Sequence, residues 1–169
     1  MNKKGHVLNA ALLSIGLGVV LVWPTAITAS NALATVESIA ELSVPVVLGA
    51  LFPDVDTAFG KHRKTLHNLF VLGIFVGYPF VFGNLQFVWI GIATHYVLDV
   101  VGSRRGIALF YPLTSEEWNL PFGVTTSSDY ADLVTVLVTG VELAALAGVH
   151  VYVMPLGRMG GTMATMLIG

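Results

Sequence analysis

Residues 85–101 read LQFVWIGIATHYVLDVV, an apolar run that carries His95 and Asp99 four positions apart. Its length is at the short end of the ~17 to 25 residues a membrane-spanning helix needs. On a helix, side chains four apart project from one face about one turn apart, the spacing by which a helix can chelate one metal ion or two adjacent ones. Taken alone, such a pair is more commonly a hydrogen bond within the helix. Imidazoles and carboxylates at membrane depth are costly unless they pair, bind metal or face water. The His95–Asp99 pair therefore has to be read with the rest of the chain.

The rest of the chain is of the same kind. Of its 169 residues, 55% are hydrophobic and 11% charged, where roughly a quarter would be charged in a soluble domain. With a mean hydropathy of +0.80, the composition is that of an integral membrane protein. Further apolar runs cover Val7–Trp23, stopping at Pro24, and Leu33–Phe52, interrupted by Glu37 and Glu41 and expected to kink at Pro45. Leu66–Phe82 is parted from the 85–101 run by Gly83-Asn84, and Leu133–Met154 comes last. This pattern predicts an all-α polytopic membrane helical bundle of about five transmembrane helices. It forms one domain over residues 1–154, with a long loop at 102–132 and a C-terminal tail at 155–169. The loop reads either as a simple connector whose Phe110, Tyr111, Trp118 and Phe122 rest on lipid or as a substrate-facing lid.

The distribution of charge orients the bundle. With a cytoplasmic N-terminus, Lys3, Lys4, Lys61, Arg63, Lys64, Arg104 and Arg105 all lie inside and only Arg158 outside, as the positive-inside rule requires. A basic start, an apolar core and the small residues near Ala32-Leu33-Ala34 also resemble a cleavable secretory signal. That run is longer than a usual signal core, so an uncleaved first span is expected. The net charge of −2 gives no reason to expect a nucleic-acid partner. With zero cysteines, imidazole and carboxylate are the strong metal ligands on offer.

This orientation brings the polar groups of four separate segments to the cytoplasmic face, in a multi-pass protein of the cell membrane. They are His6, Pro53-Asp54-Val55-Asp56, His62 to His67, and His95 with Asp99. Asp54 and Asp56 follow a proline at a helix end, and two adjacent aspartates repel unless a cation or a shared proton intervenes. His67 is expected in the first turn of the third helix and is the direct ligand of its loop. His62, five residues earlier, lies behind it or contacts substrate. Arg63 offers a planar fork suited to phosphate oxygens, although a basic loop at this place is also what topology and anionic lipid alone would select. His150 has no partner motif and is read as structural or interfacial. Glu142, in the same run, is expected to pair with another helix.

His6 at the head of the first run, Gly49-x-x-x-Pro53-Asp54-x-Asp56, the His62-Arg63 to His67 stretch, His95-x-x-x-Asp99, and Gly106 with Tyr111-Pro112-Leu113 form an ordered set. Together they resemble the YdjM-like family of membrane-bound metal-dependent hydrolases, whose bacterial members include LexA-regulated inner-membrane proteins. The resemblance covers residues 1 to about 115. Where that family commonly flanks the second loop histidine as Thr-His-Ser, this chain has Leu66-His67-Asn68. The ligand order is also similar, more loosely, to that of zinc-dependent phospholipase C. The later His-x-x-x-Glu element of that enzyme is missing, because Met154 follows His150 at that spacing. The resemblances imply two divalent ions, zinc first and manganese or iron as alternatives, held by His6, His67 and His95 and bridged by Asp56 or Asp99. Asp54 would serve as general base or further ligand, and Arg63, Arg104 and Arg105 would steady a substrate phosphate.

The reading that results is a metal-dependent hydrolase at the cytoplasmic membrane surface acting on a phosphoester or phosphodiester of a membrane lipid. The alternative is a non-enzymatic membrane partner or assembly protein, or a homo-oligomer, in which a metal site or polar network fixes the helix ends. Transport ranks last, because the polar groups gather at one face and do not run through the bilayer.

Overall fold

The computed structural model describes residues 1–22, 28–121 and 123–153. The expected end of the first span at Trp23-Pro24, the ring of Phe122, the end of the last run at Met154 and the tail 155–169 lie outside the described residues. The described residues form five α-helices: α1 Lys3–Val22, α2 Ala29–Leu51, α3 Leu69–Phe82, α4 Val88–Val101 and α5 Ala131–Gly148. A 3-10 turn, Pro53–Ala58, continues α2, and a π turn, Val149–Val153, continues α5. The described residues contain no strand, only two isolated bridges, Ser103 with Val124 and Ile107 with Trp118.

Three helical stretches are long and apolar enough to cross a membrane: Lys3–Val22, Ala29–Ala58 and Ala131–Tyr152. The five helices expected are all present, and two of them are shorter than a full span. The helices α3 and α4 have 14 residues each, about 21 Å at the α-helical rise, against ~30 Å of hydrocarbon. Both lose their first turn to local chemistry. The side chain of Asn68 accepts the Val71 N–H at 3.1 Å, so α3 starts after it, and Gly83, at φ 69°, ends the helix in the left-handed conformation. Leu85 also has a positive φ, 57°, and the Val88 N–H bonds the Leu85 carbonyl at 3.2 Å, which makes residues 85–88 a turn.

α1 packs between α2 and α5, and α2 packs on α4. Ala10, Leu17, Leu42, Val46, Ala50 and Ile90 form the principal apolar cluster among them. At the α2–α4 crossing the backbones touch: a β-carbon on Gly49 would collide with the Val88 carbonyl, and one on Gly91 with the Val46 carbonyl. Small residues permit this approach, which membrane helices use in place of a hydrophobic driving force. α3 has no buried residue. Its Phe70, Ile74, Val81 and Phe82 face outward, apolar on all sides, as a helix bathed in lipid can be.

The described residues of the 102–132 connection carry backbone hydrogen bonds of their own. Ile107 and Trp118 exchange two backbone hydrogen bonds of 3.1 and 2.9 Å, and Arg104 N–H and Val124 N–H bond the Val124 and Gly102 carbonyls. The loop is fastened to the 60–69 segment by Ala108 N–H on the Arg63 carbonyl and Leu69 N–H on the Leu109 carbonyl, both 2.9 Å.

Gly91→Ala should destabilise the bundle by ~1 to 3 kcal/mol, the usual cost of overpacking against a backbone that cannot yield. Thermal unfolding in detergent measures this. Gly73→Ala, where nothing lies within 4 Å, is the control and should leave the midpoint unchanged or slightly raised.

Candidate metal centre

The expected site residues come together. α1 contributes His6, the turn after α2 contributes Asp54 and Asp56, the 60–68 loop contributes His62, Arg63 and His67, and α4 contributes His95 and Asp99. Pro53 starts the 3-10 turn with its φ already set and no N–H to lose. The Asp56 carbonyl then accepts the Phe59 and Gly60 N–H groups at 3.3 and 2.7 Å, folding the chain back on itself. This reversal brings the His62–His67 stretch over the end of α4.

Asp56 organises that stretch. Its carboxylate is fully buried. One oxygen lies 2.9 Å from His62 Nδ1, and the other 3.0 Å from His67 Nδ1 and 3.3 Å from the Leu66 N–H. A carboxylate accepts, so both imidazoles donate to it from Nδ1. His67 lies two residues before α3 and not in its first turn as expected, because Asn68 is the capping residue. The same Asn68 closes the loop by donating to the Lys64 and Thr65 carbonyls, both at 2.9 Å. Burial holds the His67 imidazole below its ordinary pKa, against the opposing pull of Asp56 and Asp99. The ring is therefore neutral at pH 7, with a free Nε2.

His95 is fixed in the same sense by a different partner. Its Nδ1 is 2.6 Å from the Ala50 carbonyl at the end of α2, so Nδ1 donates and Nε2 is the bare nitrogen. The two Nε2 atoms lie 3.1 Å apart. Asp54 Oδ1 is 3.8 Å from the first and 3.9 Å from the second, and Asp99 Oδ2 is 3.9 and 3.6 Å away. Two carboxylate oxygens thus lie within 3.9 Å of both bare nitrogens, and imidazole and carboxylate are ligand types that zinc takes.

The donors also divide into two groups, His6 with His95 and Asp99, and Asp54 with His62 and His67, each with its ligand atoms within 4.8 Å of one another. His6 stacks on His95 with ring centroids 3.7 Å apart, and its Nε2 is 3.5 Å from Asp99 Oδ1. Both of its ring nitrogens are buried without a hydrogen-bond partner. The α-amino group of Met1 also pairs with Asp99 Oδ1. A set of imidazoles and carboxylates gathered this closely, with Nε2 of His67 and Nε2 of His95 facing each other, is a donor set for a divalent cation.

The three arginines are placed differently from one another. Arg63 is buried, in the left-handed region at φ 66°. Its Nη1 reaches the Arg105 and Gly106 carbonyls and lies 3.9 Å from Asp99 Oδ2. That nitrogen fastens the 103–106 turn over the centre. Arg104 and Arg105 are exposed and, with His62, Arg63 and Thr126, line a cavity of about 450 Å³ beside the centre. His62 is the ligand-group member most open to solvent, with 40% of its side chain exposed. His150 is on the π turn beyond α5, away from these residues in sequence and fold.

Sequence reasoning missed the Ala50 carbonyl, which carries no side-chain signal, and Tyr96, whose hydroxyl donates to the Leu66 carbonyl and holds the loop on α4. Asn68 was missed too, and the signal that could have found it is the preference of asparagine for the helix N-cap. No curated protein and no solved structure matches this chain. The profile of the YdjM inner membrane protein family matches residues 1–167, and the chain belongs to that family.

Proposed function

We propose that this protein is a metal-dependent hydrolase acting at the cytoplasmic membrane surface on a phosphoester or phosphodiester of a lipid, with two divalent ions, zinc first, in its polar centre. The observation that carries the reading is the 3.1 Å approach of two imidazole Nε2 atoms whose Nδ1 atoms are already committed to Asp56 and Ala50. Two facing lone pairs repel, and a cation between them turns that repulsion into two bonds.

His67 and His95, with Asp54 and Asp99 within 3.9 Å of both, would hold one ion, and the division of the donors into His6, His95 and Asp99 and into Asp54, His62 and His67 offers three ligands to each of two. Asp56, with both oxygens on imidazoles, would orient His62 and His67, and Asp54 would be the ligand in its stead. Such ions lower the pKa of a water molecule and neutralise charge on an attacked phosphoryl group. Arg104 and Arg105, exposed at the neighbouring cavity, would bind the phosphate oxygens, while Arg63 keeps their turn in place. His62, in contact with both the cavity and Asp56, is suited to move a proton at the edge of the centre. The cytoplasmic orientation rests on the seven basic residues at that side.

One observation favours the non-enzymatic reading. His6, His67, His95 and Asp99 are almost wholly enclosed, and closed sites are characteristic of structural zinc. A protein that needs metal to fold and shows no turnover would be of that kind.

Purified protein should contain at least one equivalent of zinc, manganese or iron by elemental analysis and hydrolyse a phosphodiester such as bis(p-nitrophenyl) phosphate or a labelled phospholipid. His95→Ala and Asp54→Asn should lose both properties. No stoichiometric metal, or wild-type turnover equal to that of the variants, would overturn the proposal. Asp56→Asn leaves the ligand atoms in place and removes what orients them. Its metal affinity, measured by competition with a chromogenic chelator, should fall about 10- to 100-fold.

A further inference from the structure

We propose that Asn9 of α1 and Glu142 of α5 form a second site, separate from the histidine centre, that holds one small monovalent cation, a proton or a sodium ion, within the membrane. Both residues lie in helices long and apolar enough to span the bilayer, and both are more than nine-tenths buried. The Asn9 amide donates from Nδ2 to Glu142 Oε2 at 2.5 Å and to Thr139 Oγ1 at 3.0 Å. The Thr139 hydroxyl donates its own hydrogen to the Thr135 carbonyl at 2.7 Å. Every polar hydrogen in the cluster is thereby used. Two acceptor oxygens, Asn9 Oδ1 and Glu142 Oε1, remain buried with no hydrogen-bond partner among the described residues.

Orphaned buried acceptors of this kind are rare in folded proteins, and each calls for an occupant. Turning the amide over does not help, since Oδ1 would then face Glu142 Oε2 and the surplus of acceptors would persist. The cluster also carries a formal charge with nothing to balance it. No lysine or arginine occurs between residues 4 and 61 or between residues 105 and 158, and a lone carboxylate at membrane depth is strongly disfavoured. One carboxylate calls for a single positive charge, and oxygen-only donors suit a proton or a hard cation better than zinc.

The titratable groups around the pair are few. His6 is one turn away on the same face of α1 and touches His95 and Asp99 of α4. Glu37 and Glu41 of α2 are exposed, as is Asp132 at the start of α5. His150 lies beyond its end. A cation held here clamps α5 to α1, and α1 is the helix that carries His6 into the histidine centre.

The test uses the metal-loaded protein in detergent and reads its unfolding midpoint along two axes. One exchanges choline for sodium at constant ionic strength and pH, and the other moves from pH 8.5 to pH 6.5 without sodium. A proton occupant raises the wild-type midpoint by several degrees toward low pH, and a sodium occupant raises it by a similar amount on exchange. Glu142→Gln, which supplies its own amide hydrogens, should lose that rise while the contribution of the histidines remains. If Glu142→Gln does not fold, Asn9→Asp reads the same site, because a second carboxylate should steepen the dependence. A wild-type midpoint flat on both axes, or a variant dependence equal to that of wild type, overturns the proposal. Neither result bears on whether the histidine centre hydrolyses anything.

Discussion

Two imidazole nitrogens, His67 Nε2 and His95 Nε2, face each other at 3.1 Å in a protein that is otherwise mostly hydrocarbon. Neither ring is free to turn its other nitrogen inward, since Asp56 holds one Nδ1 and the Ala50 carbonyl holds the other. The structure around this pair consists of the elements that keep both rings in place. The α2–α4 crossing, closed through Gly49 and Gly91, positions the end of α2 to receive His95. The reversal after Pro53 places Asp56 beneath His67. The 102–126 loop, fastened by Arg63 and by the Leu109–Leu69 hydrogen bond, covers the result.

The short helices follow from the same arrangement. α3 and α4 give up a turn at their N-terminal ends, α3 so that the polar loop before it can close over α4. α4 must carry His95 and Asp99 at its other end, with nine of its 14 residues buried. α3 contributes no buried side chain. What packs around the centre is therefore α1, α2 and α4, and α3 forms the outer wall of the bundle against lipid.

Much of this was legible in the sequence because it depended on spacing or on cost. His95 and Asp99 share a helix face at any length of helix, and polar groups do not sit in apolar runs without a reason, so the gathering of four segments could be read from topology. Roles that depend on which atom of a group is already occupied could not be read. Asp54 and Asp56 look alike in Pro-Asp-Val-Asp, and only the folded chain separates a carboxylate with both oxygens on imidazoles from one that faces the open centre. Arg63 looked like a free guanidinium, and the carbonyls it anchors, those of Arg105 and Gly106, are 42 and 43 residues away. The Ala50 carbonyl could not be seen at all, because backbone partners leave no mark in side-chain patterns. The helix starts were misplaced where Asn68 caps α3 and where Leu85 takes a positive φ, both of which interrupt runs whose hydropathy continues unbroken.

The most direct test of the metal centre is X-ray absorption at the zinc edge on protein reconstituted with one equivalent of zinc. The expected result is a shell of nitrogen and oxygen at about 2.0 to 2.2 Å with imidazole scattering, which His67→Ala and His95→Ala should both fail to hold. A zinc environment without imidazole, or one identical in wild type and both variants, would contradict it.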